Sequence, residues 1–68
     1  MTFGEKVKQT REKLFLSQEA MAKELGVLRT TVTRWENGTN EPNYAAKKAF
    51  HNFCVKNKIK FKDEEGEN

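Results

Sequence analysis

The 22-residue run from Ser17 to Gly38, SQEAMAKELGVLRTTVTRWENG, restricts what this chain can fold into more than any other stretch. Ser17 suits a helix N-cap, because its hydroxyl can accept from backbone N–H groups that a first turn leaves unpaired. Met21, Ala22 and Leu25 then share one face at helical spacing, and Gly26 supplies the left-handed residue on which helices often stop. A further helix is expected from about Arg29 to Asn37, where Asn37-Gly38 provides another left-handed stop. The run therefore reads as two short helices joined by a tight turn around Gly26.

On either side of this pair the chain continues to read as helix. Thr2 and Glu5 fit a capping box, and Phe3, Val7, Thr10, Arg11 and Leu14 recur at three- and four-residue spacing, which predicts an amphipathic helix over about 3–14. Thr39 to Pro42 reads as a loop. Asn43 can cap a longer helix to about Asn57, with Ala46, Ala49, Phe50, Phe53 and Cys54 on its apolar side. Ile59 to Lys62 alternates apolar and basic residues, too briefly to separate a strand from an extended arm that packs Phe61 onto the core.

Length and charge exclude several function classes. With 68 residues, 35% of them apolar and 34% charged, the chain suits one small domain with a thin core and no deep catalytic cleft. No apolar run approaches a membrane span or a signal peptide, so a cytoplasmic location is expected, with no membrane partner. One cysteine (Cys54) and one histidine (His51) allow neither an internal disulfide nor a zinc-ligand set, and no cofactor is implied. Catalysis would need a nucleophile beside a base, or a metal set, and neither is legible. Residues 1–62 hold all 13 basic residues against 6 acidic ones, for +7, whereas the last six positions carry −4. A basic body suits a polyanionic partner; the acidic stretch 63–68 reads as solvated charge, or as an internal mimic of phosphate.

At ~100° per residue the helix over 29–37 divides into two faces. Leu28, Val32, Trp35 and Glu36 point toward the other helices, while Thr30, Thr33, Arg34 and Asn37 point away, with Arg29 on the flank. Such an exposed set can address base edges. Arg donates two parallel hydrogen bonds to guanine O6 and N7, and Thr offers a hydroxyl to a base or phosphate and a methyl to thymine. Ser17 and Gln18 open the preceding helix, where unpaired N–H groups favour a phosphate, and Gln18 can either brace the DNA backbone or reach the end of the next helix. Glu36, on the inward face, would be costly without a partner.

These residues resemble the helix-turn-helix of the Cro and phage-repressor family, the XRE family of bacterial regulators. The resemblance is carried by Leu16-Ser17-Gln18-Glu19, Met21-Ala22, Leu25-Gly26-Val27, Val32, Arg34-Trp35-Glu36-Asn37-Gly38 and Pro42, and extends to Arg11 and Leu14. It implies an all-α, compact four- to five-helix bundle of phage-repressor type, here with a short C-terminal extended arm. It also implies a bacterial or phage-encoded regulator that binds double-stranded DNA with the helix at 29–37 in the major groove. Gln18, Arg29, Thr30, Thr33 and Arg34 would face DNA; Thr31 and Asn37 would lie near phosphates; Arg11 and Glu36 would form a partly buried ion pair. A homodimer on a palindrome would set its two recognition helices about 34 Å apart.

The chain departs from the family pattern at three places. Leu28 stands where a capping Ser or Thr is usual, so about 1 kcal/mol of capping is lost unless packing of Leu28 replaces it. Phe15 holds a turn position often occupied by glycine, as a contact surface or a lid on Leu14, and Lys47 stands where leucine is common. A second reading is therefore a protein-interaction module, an antitoxin or a phage or mobile-element adaptor, with Phe15, Tyr44 and Ile59 to Phe61 as contacts. Neither reading calls for a small-molecule ligand.

Overall fold

Side-chain caps begin three of the helices. The structure, a computed structural model, describes residues 1–61. Thr2 and Glu5 close a reciprocal capping box at the start of α1 (Phe3–Lys13), with Thr2 Oγ1 accepting from the Glu5 N–H at 3.1 Å and Glu5 Oε1 from the Thr2 N–H at 2.8 Å. Ser17 caps α2 (Gln18–Leu25) through the Ala20 N–H, and Asn43 caps α4 (Tyr44–Lys56) through the Ala46 N–H. Between them, α3 (Arg29–Asn37) starts at Leu28 with no side-chain cap. These are the four helices of the described residues, without a fifth and without a strand. None of them is long and apolar enough to cross a membrane. Lys62 and the acidic residues 63–68, including the boundary expected between domain and tail, lie outside the described residues.

All four helices end the same way. A residue in the left-handed region follows the last turn, and the next N–H reaches back five positions: Leu16 to the Arg11 carbonyl, Val27 to Ala22, Thr39 to Arg34 and Ile59 to Cys54, at 2.8–3.0 Å. This pattern satisfies carbonyls that the helix end would orphan. At α2 and α3 the left-handed residue is glycine, Gly26 and Gly38; at α1 and α4 it is Phe15 (φ 58°) and Lys58 (φ 57°). The reversal turns Leu16, Val27 and Ile59 inward, where each packs on the core. Phe15 itself is 94% exposed, so it is no lid on Leu14.

Val7, Met21, Ala22, Leu25, Val32, Trp35, Phe50, Phe53, Cys54 and Phe61 form the core, fed by every helix and by the segment after α4. The Ile59–Phe61 stretch is an extended arm, not a strand, and it buries Phe61 beside Phe50, with ring centroids 6.2 Å apart. Phe3 meets Trp35 edge-on at 5.1 Å and Phe50 at 5.2 Å, joining α1, α3 and α4 through ring contacts worth about 0.5–1.5 kcal/mol each beyond area burial. Leu28 does not join this core. As the residue before α3 it has an extended backbone (ψ 150°), so helical spacing does not set its direction, and it is 72% exposed. Packing thus does not replace the missing cap.

Gly4 is where α1 touches α3. A Cβ there would collide with the Trp35 carbonyl oxygen and lie 2.8 Å from its carbon and 3.2 Å from the Glu36 Cα. Since all three atoms are backbone, relief requires separating the helices. Gly4→Ala should therefore lower stability by about 2–3 kcal/mol, because overpacking outweighs the roughly 1 kcal/mol that alanine gains as a helix former; denaturant unfolding measures the difference. Thr10 presents the opposite case. Its hydroxyl is fully buried on the same helix with no hydrogen-bond partner. Thr10→Val keeps the shape and removes an unpaired polar group, so the melting temperature should hold or rise, and a loss above about 1 kcal/mol would show that the hydroxyl is bonded after all.

Candidate nucleic-acid interface

The outer face of α3 exists because its inner face is fastened to both neighbours. Val32 and Trp35 are buried against α1 and α2, and the residue after Trp35 is Glu36, whose side chain is 6% exposed. Arg11 of α1 meets that carboxylate with two parallel hydrogen bonds, Nε to Oε2 at 2.8 Å and Nη2 to Oε1 at 3.1 Å. Its remaining terminal nitrogen, Nη1, donates to the Leu16 carbonyl at 3.1 Å, which ties in the turn before α2. The hydrogen bond to Glu36 raises the Arg11 pKa above its ordinary value, more than burial lowers it, so the guanidinium stays charged.

Gln18 connects α2 to the same carboxylate. Its Nε2 donates to Glu36 Oε1 at 3.1 Å, and its Oε1 accepts from the Thr33 hydroxyl at 2.8 Å. Of the two roles open to Gln18 in the sequence, the geometry shows the reach to the end of α3. Thr33 is consequently half-buried rather than fully outward, and its hydroxyl also lies 3.2 Å from the Arg29 carbonyl. Ser17 uses its hydroxyl as the α2 cap.

Arg29, Thr30, Arg34 and Asn37 are exposed on the outer side of α3. Thr31 is half-buried and lines an open groove with Asn40, Pro42 and Asn43, which brings polar groups of the α3–α4 loop beside the start of α3. Asn40 and Asn43 have no mark in the sequence beyond a loop and a cap; only the folded loop sets them there. At the N-terminus of α3, the Thr31 and Val32 N–H groups bond to the Leu28 carbonyl, and no side chain caps the turn. The uncapped end adds positive partial charge beside Arg29.

Two helices locked at a glycine turn, the second with a free polar and basic face, form a recurrent arrangement. The profile of the Helix-turn-helix family matches residues 7–46, which takes in most of α1, all of α2 and α3 and the start of α4. The chain belongs to the helix-turn-helix family of the Cro/C1 (XRE) type. A helix-turn-helix relative, the HTH-type transcriptional activator BcrR of Enterococcus faecalis, is 40% identical over 53 residues, covering 78% of this chain. The match covers 26% of that protein, so the domain spans about a quarter of its relative's length. No solved structure matches the chain.

The ion pair of this helix-turn-helix domain is measurable. Exposed pairs couple by about 0.2–1 kcal/mol, whereas removing one partner of a buried pair costs about 3–5. Arg11 is 16% exposed and Glu36 less, which places them nearer the buried limit. A double-mutant cycle with Arg11→Ala and Glu36→Ala should give a coupling of about 2 kcal/mol in denaturant unfolding, and simple additivity would refute the pairing.

Proposed function

We propose that this domain is a sequence-specific DNA-binding transcription regulator that inserts α3 into the major groove. The observation that carries the reading is the division of α3: Val32, Trp35 and Glu36 are held inward, which leaves Arg29, Thr30, Arg34 and Asn37 outward on one rigid face. Arg34 and Arg29 are the leading contacts to guanine or phosphate. Thr31 and Asn37 lie near the phosphates, and the start of α2, at Ser17 and Gln18, faces the DNA backbone through main-chain N–H groups, the two side chains being engaged within the domain. The relative's name, a transcriptional activator, agrees with a regulatory role. The reading extends to a dimer on a two-fold site.

A protein-interaction role has one observation in its favour. Phe15, in the turn after α1, and Tyr44, at the start of α4, are exposed aromatics, 94% and 81%, and neither adds to the core. The two readings differ in salt dependence, because only the first releases counterions from phosphate.

The test is selection of bound duplexes from a random pool, followed by titration at several salt concentrations. Arg34→Ala should remove discrimination between selected and random sites, at a cost of about 1–3 kcal/mol on the selected one. Changing the exposed Lys47 or Lys48 to Ala should weaken all sites alike and reduce the log–log salt slope by about 0.9 for each phosphate that is no longer neutralised. Unchanged site preference in Arg34→Ala sinks the assignment of α3, and salt-insensitive binding sinks DNA as the partner.

A further inference from the structure

The hydrogen bonds around Glu36 have a fixed direction, and that direction extends to the surface of α3. Arg11 only donates, and it meets Glu36 with two N–H groups, so the carboxylate only accepts. The Gln18 group facing Glu36 Oε1 must therefore be its NH2, at 3.1 Å, which turns the Gln18 carbonyl oxygen toward Thr33. Thr33 Oγ1 lies 2.8 Å from that oxygen and 3.2 Å from the Arg29 carbonyl oxygen. Neither of those atoms can donate. The single hydroxyl proton of Thr33 is thus directed inward between two acceptors, and the oxygen branch of the side chain is turned toward Gln18 and back along the helix.

Thr33 is nonetheless partly exposed, on the same face as Thr30, Arg34 and Asn37. With the oxygen branch held by Gln18 and the helix backbone, the γ-methyl is the branch that remains to face outward. We propose that Thr33 reads DNA through this methyl group, packing against the 5-methyl of a thymine in the major groove, and is not a hydrogen-bond donor to a base. The assignment rests on the major-groove reading above and narrows it: the residue that looks most able to donate is the one whose proton is already placed. An adenine–thymine pair is selected there because thymine alone among the four bases carries a methyl on that edge. The chain of causation starts at Arg11, 22 positions earlier in the sequence.

Three proteins and two kinds of DNA test it. A duplex selected by the wild-type domain is prepared with each thymine replaced in turn by deoxyuridine, which lacks only the methyl. Binding is measured for wild type, Thr33→Val and Thr33→Ser, with circular dichroism and thermal unfolding confirming that all three fold. Valine keeps the methyl and loses the hydroxyl; serine does the reverse. One thymine position is expected at which uracil lowers wild-type affinity about fourfold, the worth of a buried methyl group. Thr33→Val should show the same loss at that position, and Thr33→Ser none. A methyl read by Thr30 or another residue persists in Thr33→Ser and is thereby told apart.

The assignment is overturned if Thr33→Ser keeps the uracil sensitivity at every position, or if Thr33→Val loses a site preference that Thr33→Ser retains. A domain that binds selected DNA yet behaves in either of those ways retains the proposed function without this assignment. One with no selective binding to any duplex loses both.

Discussion

The Glu36 carboxylate is the point on which the arrangement of the helices depends. It accepts from Arg11 of α1 and Gln18 of α2 while belonging to α3, and the Arg11 guanidinium also holds the Leu16 carbonyl in the turn between α1 and α2. A carboxylate this enclosed is tolerable only because it is paired and hydrogen-bonded, since isolated charge in such surroundings costs several kcal/mol. The same groups therefore oppose any rearrangement in which one helix drifts from the other two. In a domain this small, with little apolar surface to bury, a directional constraint of that kind contributes to the uniqueness of the fold as much as to its depth.

Packing around the carboxylate reinforces it at the same end of α3. Gly4 lets the first turn of α1 approach the backbone of Trp35 and Glu36, and Phe3 lays its ring edge against Trp35. The C-terminal end of α3 is thus held by polar groups at Glu36 and by a close backbone approach and aromatic packing at Trp35. Lys6 adds a charge 5.3 Å from the centre of the Phe61 ring, so α1 also meets the arm that follows α4. What is left free on α3 is free because everything else on it is engaged.

Much of this is legible in the chain. Thr2, Ser17 and Asn43 announce helix starts through side chains that cap their own first turns, and Gly26 and Asn37-Gly38 announce stops, so both bounds of α2 and the end of α3 follow from local chemistry. The inward positions of Val32 and Trp35 follow from helical spacing. Other features depend on contacts between distant residues or on residues that defy their usual preferences. Phe15 and Lys58 take left-handed backbone without being glycine, because the five-residue return bond and the inward turn of Leu16 and Ile59 outweigh the steric cost. The role of Gly4 requires knowing that α1 crosses α3 there. Spacing misplaces Leu28 because it assumes helical backbone, which the residue before a helix does not have. It also sets Thr33 wholly outward, while Gln18 reaches over from another helix to claim the Thr33 hydroxyl.

The bare start of α3 has a consequence for binding. Three helices begin with a side chain closing the first turn, and α3 begins after Leu28, whose side chain neither caps the turn nor joins the core. The turn at Arg29 to Thr31 is therefore held by backbone bonds to the Leu28 carbonyl without a side-chain cap, while the far end of the helix is clamped at Glu36. An acceptor oxygen arriving from outside can occupy the N–H groups that no hydroxyl caps, and in doing so it supplies the missing cap. An acceptor bound there would restrain the one helix start, among the described residues, that no side chain restrains.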